Sequence, residues 1–262
     1  MKYKKILLIA GVHGDEKIPV QTIKKYNKDI FKECDTEIAN PMAVKENKRF
    51  IDTDMNRCFD CEKPKNYEEQ IAIKHIKPML KDYDLVIDIH STKSDIKELI
   101  IVSNLNKKTK EVLKYIPIKN VVLMPANMCK GSLIKHCTIG ISLEYKRKTK
   151  PEYVISQIKK MIEQKKEYSH TYFKVIGEYK VQEPFKAKNC IKELKNIKDG
   201  TLLGKTGKIE YRADLGFVAL FTGKGRYKNT ACLKLEKIFN GAFVPNNVYS
   251  PIPLSQGGIQ GQ

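Results

Sequence analysis

At 262 residues, 41% hydrophobic and 30% charged, the chain holds enough apolar material for one large domain or two modest ones around a sizeable core. No apolar stretch approaches the roughly 20 residues a membrane helix needs, so no membrane span is expected. The formal net charge of +19 invites a nucleic-acid reading. Its lysines, however, follow helix faces, as in IKKMIEQKKEY, without aromatic–basic interleaving, and predict solvated surfaces; a field that attracts small anions is compatible with either reading, and no nucleic-acid partner is expected.

The chain opens with MKYKKILLIAG, whose apolar run is too short for a secretion signal and lacks a small-residue cleavage site. YKKILLIA therefore reads as the first strand of a cytoplasmic protein. It runs into GVHGDEKI, which places His13 and Glu16 three positions apart in one turn. Such a pair either binds a metal or forms a solvated turn with Glu16 at the positive end of the next helix, EKIPVQTIKKYNK. TEIAN is a short strand. NKRFIDTDMNRCF, residues 47–59, then crowds Arg49, Asp52, Asp54, Asn56 and Arg57 together without apolar periodicity. Guanidinium forks and a directed amide suit a carboxylate ligand, and a surface loop of ion pairs is the alternative. Asp52 and Asp54 read as braces for Arg49 and Arg57.

Cys58 and Cys61 form a C-x-x-C with no second pair at zinc-ribbon spacing, leaving a redox pair or a coincidence beside a loop. Seven cysteines, an odd number scattered along a long chain, argue against a disulfide framework. NYEEQIAIKHIKPMLKDY has apolar residues at helical spacing. DLVIDIH is a strand closed by His90, with Asp88 on the same side two residues earlier as a candidate partner for that ring. ELIIVS is a strand, NKKTKEVLKYI a helix, and NVVLMP and TIGISLEY are strands, the last carrying Glu144 near its end. PEYVISQIKKMIEQKKEY is an amphipathic helix opened by proline.

This alternation predicts an α/β catalytic domain over residues 1–170, with a mixed, mostly parallel sheet and helices on both faces. From residue 171, YFKVIGEYKVQE, GTLLGKTGKIEYR, GFVALFTGKG and ACLKLEKIF are β-type runs separated by glycine turns. They predict a smaller all-β domain over 171–262 that ends in a loose tail, PIPLSQGGIQGQ. His75 and His170 read as structural or exposed, and His136 as a candidate pocket residue.

In open α/β sheets ligands collect beyond the carboxyl ends of strands. His13, Glu16 and His90 meet that description, and their donor atoms suit zinc, which in catalytic sites keeps a fourth position for water. A buried, hydrogen-bonded role is the alternative for His90. The motifs GVHGDE, RFIDTDMNR, DLVIDIHST and IGISLE stand in the order of the aspartoacylase/succinylglutamate desuccinylase family, relatives of the zinc carboxypeptidases. The chain resembles that family over roughly its first 145 residues, and in layout beyond them.

The resemblance implies one Zn²⁺ per chain on His13, Glu16 and His90. It implies that Arg49 polarises the scissile carbonyl, that Asn56 and Arg57 bind the substrate carboxylate, and that Glu144 is general base and proton shuttle. It also matches Tyr227 of TGKGRY to a tyrosine that the C-terminal part adds to the pocket. The implied activity is a zinc-dependent amidohydrolase that removes an acyl group from a small anionic N-acyl amino acid, with homo-oligomerisation open. A carboxypeptidase-type peptidase and an inactive binding relative are the alternatives. Two departures stand out. EYKRK replaces the glycine–proline pair that follows the catalytic glutamate in many relatives. NMCKGSLIKH offers only Lys130 and Lys135 where aspartoacylases carry an arginine for the second carboxylate of aspartate, which leaves N-acetylaspartate specificity open.

Overall fold

A computed structural model describes residues 5–25, 34–189, 191–223 and 227–240. β1 (Ile6–Ala10) is buried at all five positions. Ile6 and Leu8 point into one core and Leu7 and Ile9 into another, the two-residue alternation of a strand covered on both sides. α1 (Lys17–Lys24) and β2 (Cys34–Ile38) follow. α2 (Pro41–Glu46), which the reading above does not contain, starts on proline after Asn40, whose side chain accepts the Ala43 N–H. α3 (Tyr67–Ile71) opens with an Asn66–Glu69 capping box. It passes through a π-helical turn, Ala72–Ile76, into α4 (Lys77–Leu80). Pro78 lies in the turn that follows and brings no N–H to the carbonyl one turn back.

β3 (Leu85–Thr92), β4 (Glu98–Val102), α5 (Lys107–Leu113), β5 (Asn120–Leu123), β6 (Gly140–Lys146) and α6 (Pro151–Glu163) complete the first part. α6 stops at Gln164, whose left-handed backbone (φ 50°) ends the helix short of the expected Tyr168. The remaining strands are β7 (Thr171–Lys180), β8 (Lys186–Ala187), β9 (Asn196–Ile197), β10 (Leu202–Thr206), β11 (Ile209–Arg212), β12 (Phe217–Leu220) and β13 (Thr230–Asn240).

Ten strands form one mixed sheet in the order β2-β1-β3-β6-β4-β5-β7-β13-β12-β9. β2, β1, β3 and β6 are parallel, β4 runs against β6, and β5 and β7 are parallel to β4. In the run β7, β13, β12, β9 each strand is antiparallel to the next. A separate antiparallel sheet has the order β11-β10-β8. The expected mixed, mostly parallel sheet and a smaller antiparallel sheet in the C-terminal part are both present, but β7, β13, β12 and β9 join the large sheet through the β5–β7 ladder instead of standing apart from it.

One face packs against Ala72, Ile76 and Leu80 of the π-turn and α4, the other against Val112 and Leu113 of α5 and Val154, Ile158 and Met161 of α6. Phe185, Leu203 and Phe217 centre a third cluster in the C-terminal part. Among the described residues no helix is long and apolar enough to cross a membrane. The tail PIPLSQGGIQGQ, 251–262, lies outside the described residues.

Candidate metal centre and active site

The first face carries the site. Beyond β1 the chain turns sharply, and a Cβ on Gly14 would fall 2.1 Å from the Ala43 carbonyl carbon, so only glycine lets this turn press on α2. That contact fixes His13 and Glu16, both buried. Glu16 stands at the entry of α1 without capping it. Its carboxylate turns inward instead: Oε1 lies 2.7 Å from His13 Nδ1 and Oε2 3.2 Å from His90 Nδ1. The Ser91 N–H donates to the same Oε2 at 2.6 Å. One ligand atom from each of His13, Glu16 and His90 lies within 4.8 Å of the others.

The far nitrogens are fixed too. His13 Nε2 is 3.0 Å from Asp54 Oδ1, and His90 Nε2 is 2.7 Å from Asp88 Oδ2. Each imidazole thus shows Nδ1 to Glu16 and leans on a carboxylate behind, the arrangement that orients metal-binding histidines. The electrostatics agree. Burial pulls His13 and His90 down, but Asp54 and Glu16 around the first, and Asp88 and Glu16 around the second, hold both above their ordinary value. Burial likewise works against ionised Glu16, yet His90 and His13 keep it well below the usual carboxylate range. A concentration of buried carboxylate with two imidazoles is a place for a cation. The donor set fits a divalent ion of the zinc type, which takes nitrogen and carboxylate oxygen together.

The β3–β6 ladder sets His90 opposite Glu144 and Asp88 opposite Ser142. Glu144 is half-buried there. Burial pushes its carboxyl up to about 7; His90 pulls it down and Glu16 pushes it up.

The 47–57 segment closes the next side. Its backbone meets the histidine turn where the Gly14 N–H donates to the Arg49 carbonyl. Arg49 Nη2 donates to Asp54 Oδ2 at 3.3 Å, and Nη1 lies 3.7 Å from Glu16 Oε1. Asp54 also caps the short turn Met55–Arg57 through the Asn56 N–H. Burial opposes its charge, but His13, Arg49 and Arg57 hold it well below the usual range. Asp54 therefore braces Arg49, as expected, and in addition His13. Asp52 does not brace an arginine: its Oδ2 accepts the Tyr67 N–H at the start of α3.

Glu68, absent from the reading above, organises this segment. Fully buried, it accepts the N–H groups of Ile51, Asp52 and Thr53 at 2.6, 3.0 and 3.2 Å, and Asn40 Nδ2 at 3.1 Å. Its signal in the sequence is faint, one of two glutamates in a capped first turn. Arg147, from the divergent EYKRK stretch, is a second addition: it lines the cavity and donates to Asp15 Oδ2 at 2.6 Å.

Arg49, Asn56, Arg57, Glu144 and Tyr227 line one cavity of about 590 Å³ together with the metal-ligand candidates. Asn56 Oδ1 accepts the Leu133 N–H, and Arg57 Nη1 donates to the Asn56 carbonyl. Tyr227 enters from the C-terminal part, its ring edge-on to Phe221 at 5.9 Å. Lys130 and Lys135 do not line the cavity. Lys135 pairs with Asp60 at 2.9 Å, and Lys130 borders a neighbouring depression with Asp60 and Asn127. His136 stacks on Phe59 away from the cavity, so it is not a pocket residue. His75 is exposed, and His170 sits between the carbonyls of Ile118 and Leu113. Cys58 and Cys61 are free thiols, and burial pushes Cys58 up to about 12, which leaves it unreactive as a thiol.

Known proteins resemble the chain in sequence and in fold. The "Probable aspartoacylase" of Acaryochloris marina is 32% identical over 115 residues, 38% of this chain and 39% of that protein. The succinylglutamate desuccinylase of Vibrio cholerae is 33% identical over 96 residues, 34% of this chain and 28% of that protein. The matches thus span two fifths or less of these relatives' length. The crystal structure of murine aminoacylase 3 superposes with a TM-score of 0.74 at 16% identity, covering 89% of this chain and 95% of that one. This likeness is one of fold. A family model, "Succinylglutamate desuccinylase/Aspartoacylase catalytic domain", matches residues 2–132, half of the sequence, and the chain belongs to that family.

Proposed function

We propose that the protein is a zinc-dependent amidohydrolase that removes the acyl group from an N-acyl amino acid. The observation that carries this reading is the meeting of His13, Glu16 and His90 on one spot with Glu144 on the adjacent strand. Relatives named aspartoacylase and succinylglutamate desuccinylase support the substrate class.

Zinc on His13, Glu16 and His90 would supply Lewis-acid activation of water and of the amide carbonyl. The remaining work belongs to the chain. Glu144 takes the proton of the attacking water and passes it to the departing amine, one carboxylate serving as base and then acid. A carboxyl raised to about 7 is matched to both tasks near neutral pH. Arg49, anchored on Asp54, donates to the oxyanion that develops as water adds. Arg57 clamps the substrate carboxylate. Asn56 assists with its amide nitrogen, since its oxygen is engaged by Leu133. Tyr227 closes the cavity from the C-terminal side.

The test joins metal analysis to an acyl-amino-acid screen. The parent is expected to hold one zinc per chain and to release free amino acid. Glu144→Gln should keep the zinc and lose roughly 10²–10⁴-fold in kcat. Equal rates for parent and variant would end this role for Glu144. The pH profile supplies a second reading. A base must be unprotonated to act, so kcat/KM should fall as pH drops through the Glu144 pKa, on a limb at or below about 7 because a bound cation favours the carboxylate. Release of C-terminal residues from peptides, with acyl amino acids inert, would favour a peptidase instead.

A further inference from the structure

We propose that the amino acid released carries an apolar side chain, and that the 128–134 segment selects it; this rests on the acyl-amino-acid reading above. The segment lies directly on the carboxylate clamp. Leu133 donates its N–H to Asn56 Oδ1 at 3.0 Å, and Phe59 donates its own to the Gly131 carbonyl at 3.2 Å. Gly131 has a φ of +71°, and a Cβ on it would fall 2.3 Å from the Arg57 carbonyl oxygen. No other residue type fits there without moving Arg57. Arg57 and Met128 also line the cavity together, so a substrate carboxylate held by Arg57 sets its α-carbon toward this segment.

What the segment presents there is apolar. Met128, Cys129 and Ile134 line the cavity, while its one cation, Lys130, borders the adjoining depression, and the next residue beyond the segment, Lys135, pairs with Asp60. The floor continues in kind. Ile101 stands opposite Ser142 in the β4–β6 ladder, on the sheet face that bears His90 and Glu144, and Met124 and Leu233 extend it. Ser132 and Ser142 add hydroxyls, which can share a hydrogen bond but cannot balance a charge.

Cations do line other parts of the cavity, yet they are committed or peripheral. Arg147 is tied to Asp15 at 2.6 Å, and Lys180 to Glu178 and Thr230. Lys93 and Lys228 are exposed at the rim. A second carboxylate at the end of the side chain would thus leave water to lie against isoleucine and methionine, which is strongly unfavourable. A methionine, leucine or aromatic side chain would instead exchange water for packing.

The experiment compares N-acetyl-L-methionine and N-acetyl-L-leucine with N-acetyl-L-aspartate and N-succinyl-L-glutamate on the zinc-loaded full chain. Binding of the same four compounds to zinc-loaded Glu144→Gln, measured by calorimetry, gives an order independent of turnover. The apolar pair should be preferred by at least about tenfold in kcat/KM, with the same order in affinity. Ile134→Arg, checked for folding by thermal unfolding, should narrow that preference by about tenfold or more; Met128→Lys is the second variant should the first not fold. Preference of the parent for the acidic pair in both measurements overturns the inference and leaves the hydrolase standing. So does a folded wall variant with an unchanged ratio. If none of the four is hydrolysed or bound, the acyl-amino-acid reading itself falls and takes this inference with it.

Discussion

Two walls of the same cavity are built on different terms. On the N-terminal wall nearly every polar group answers to a second one: His13 to Asp54, His90 to Asp88, Arg49 to Asp54, and the loop beneath Arg49 to Glu68. On the C-terminal wall Tyr227 reaches in from a turn, 38% exposed, with its ring against the edge of Phe221. The first wall is over-determined, which suits the proposed holding of a cation and of a developing charge. The second wall has its own bonds, Lys180 to Glu178 and Phe221 N–H to Glu193, but they tie it within the C-terminal part and not to the metal-ligand candidates.

Three changes would break or sharpen that contrast. Asp88→Asn leaves an acceptor for His90 Nε2 but removes the charge behind it; metal affinity should drop about 10–100-fold, read by chelator competition. Unchanged affinity would mean that the N-terminal wall does not depend on its backing carboxylates. Glu68→Gln puts an amide NH₂ where one of two oxygens accepts a pair of N–H donors. Whichever way the amide turns, two donors lose their acceptor, costing about 1–3 kcal/mol of stability in denaturant titration. KM should rise as well, because Arg49 and Arg57 ride on that loop. An increase in KM at unaltered kcat would separate this positioning role from simple destabilisation. Tyr227→Phe, on the C-terminal wall, should be mildest: a severalfold rise in KM, the size of one lost hydrogen bond, with zinc content untouched. A loss as large as that of Glu144→Gln would place Tyr227 among the chemical groups and erase the distinction.

The N-terminal wall was largely legible in the sequence, and the reason is geometric. β1, β3 and β6 are short apolar runs, and a parallel sheet delivers whatever follows or ends them to one edge, so His13, Glu16, His90 and Glu144 could be gathered from local pattern alone. Partnerships across distance left no such mark. Glu68 serves backbone groups 15 to 17 positions away, and Arg147 finds Asp15 across 132. Asp52, read as a brace for arginine, spends its carboxylate on the α3 terminus, where Tyr67 offers an orphan N–H at 3.0 Å. α2 is only six residues long, and β8 and β9 two each, too short to show a period. The change of direction between β6 and β4, which β5 and β7 then keep, is likewise invisible in ELIIVS, since an apolar run carries no sign of its direction.

The opposition of His90 and Glu144 in the β3–β6 ladder has one more consequence. Deleting a single residue from the middle of either strand would flip its polar members across the sheet, into the aliphatic layer shared with α5 and α6. The spacing between Glu144 and His90 is therefore not separately adjustable; it comes with the pitch of the strands. Insertion or deletion within either strand would thus cost the cavity its arrangement outright, whereas the loops around it carry no such constraint.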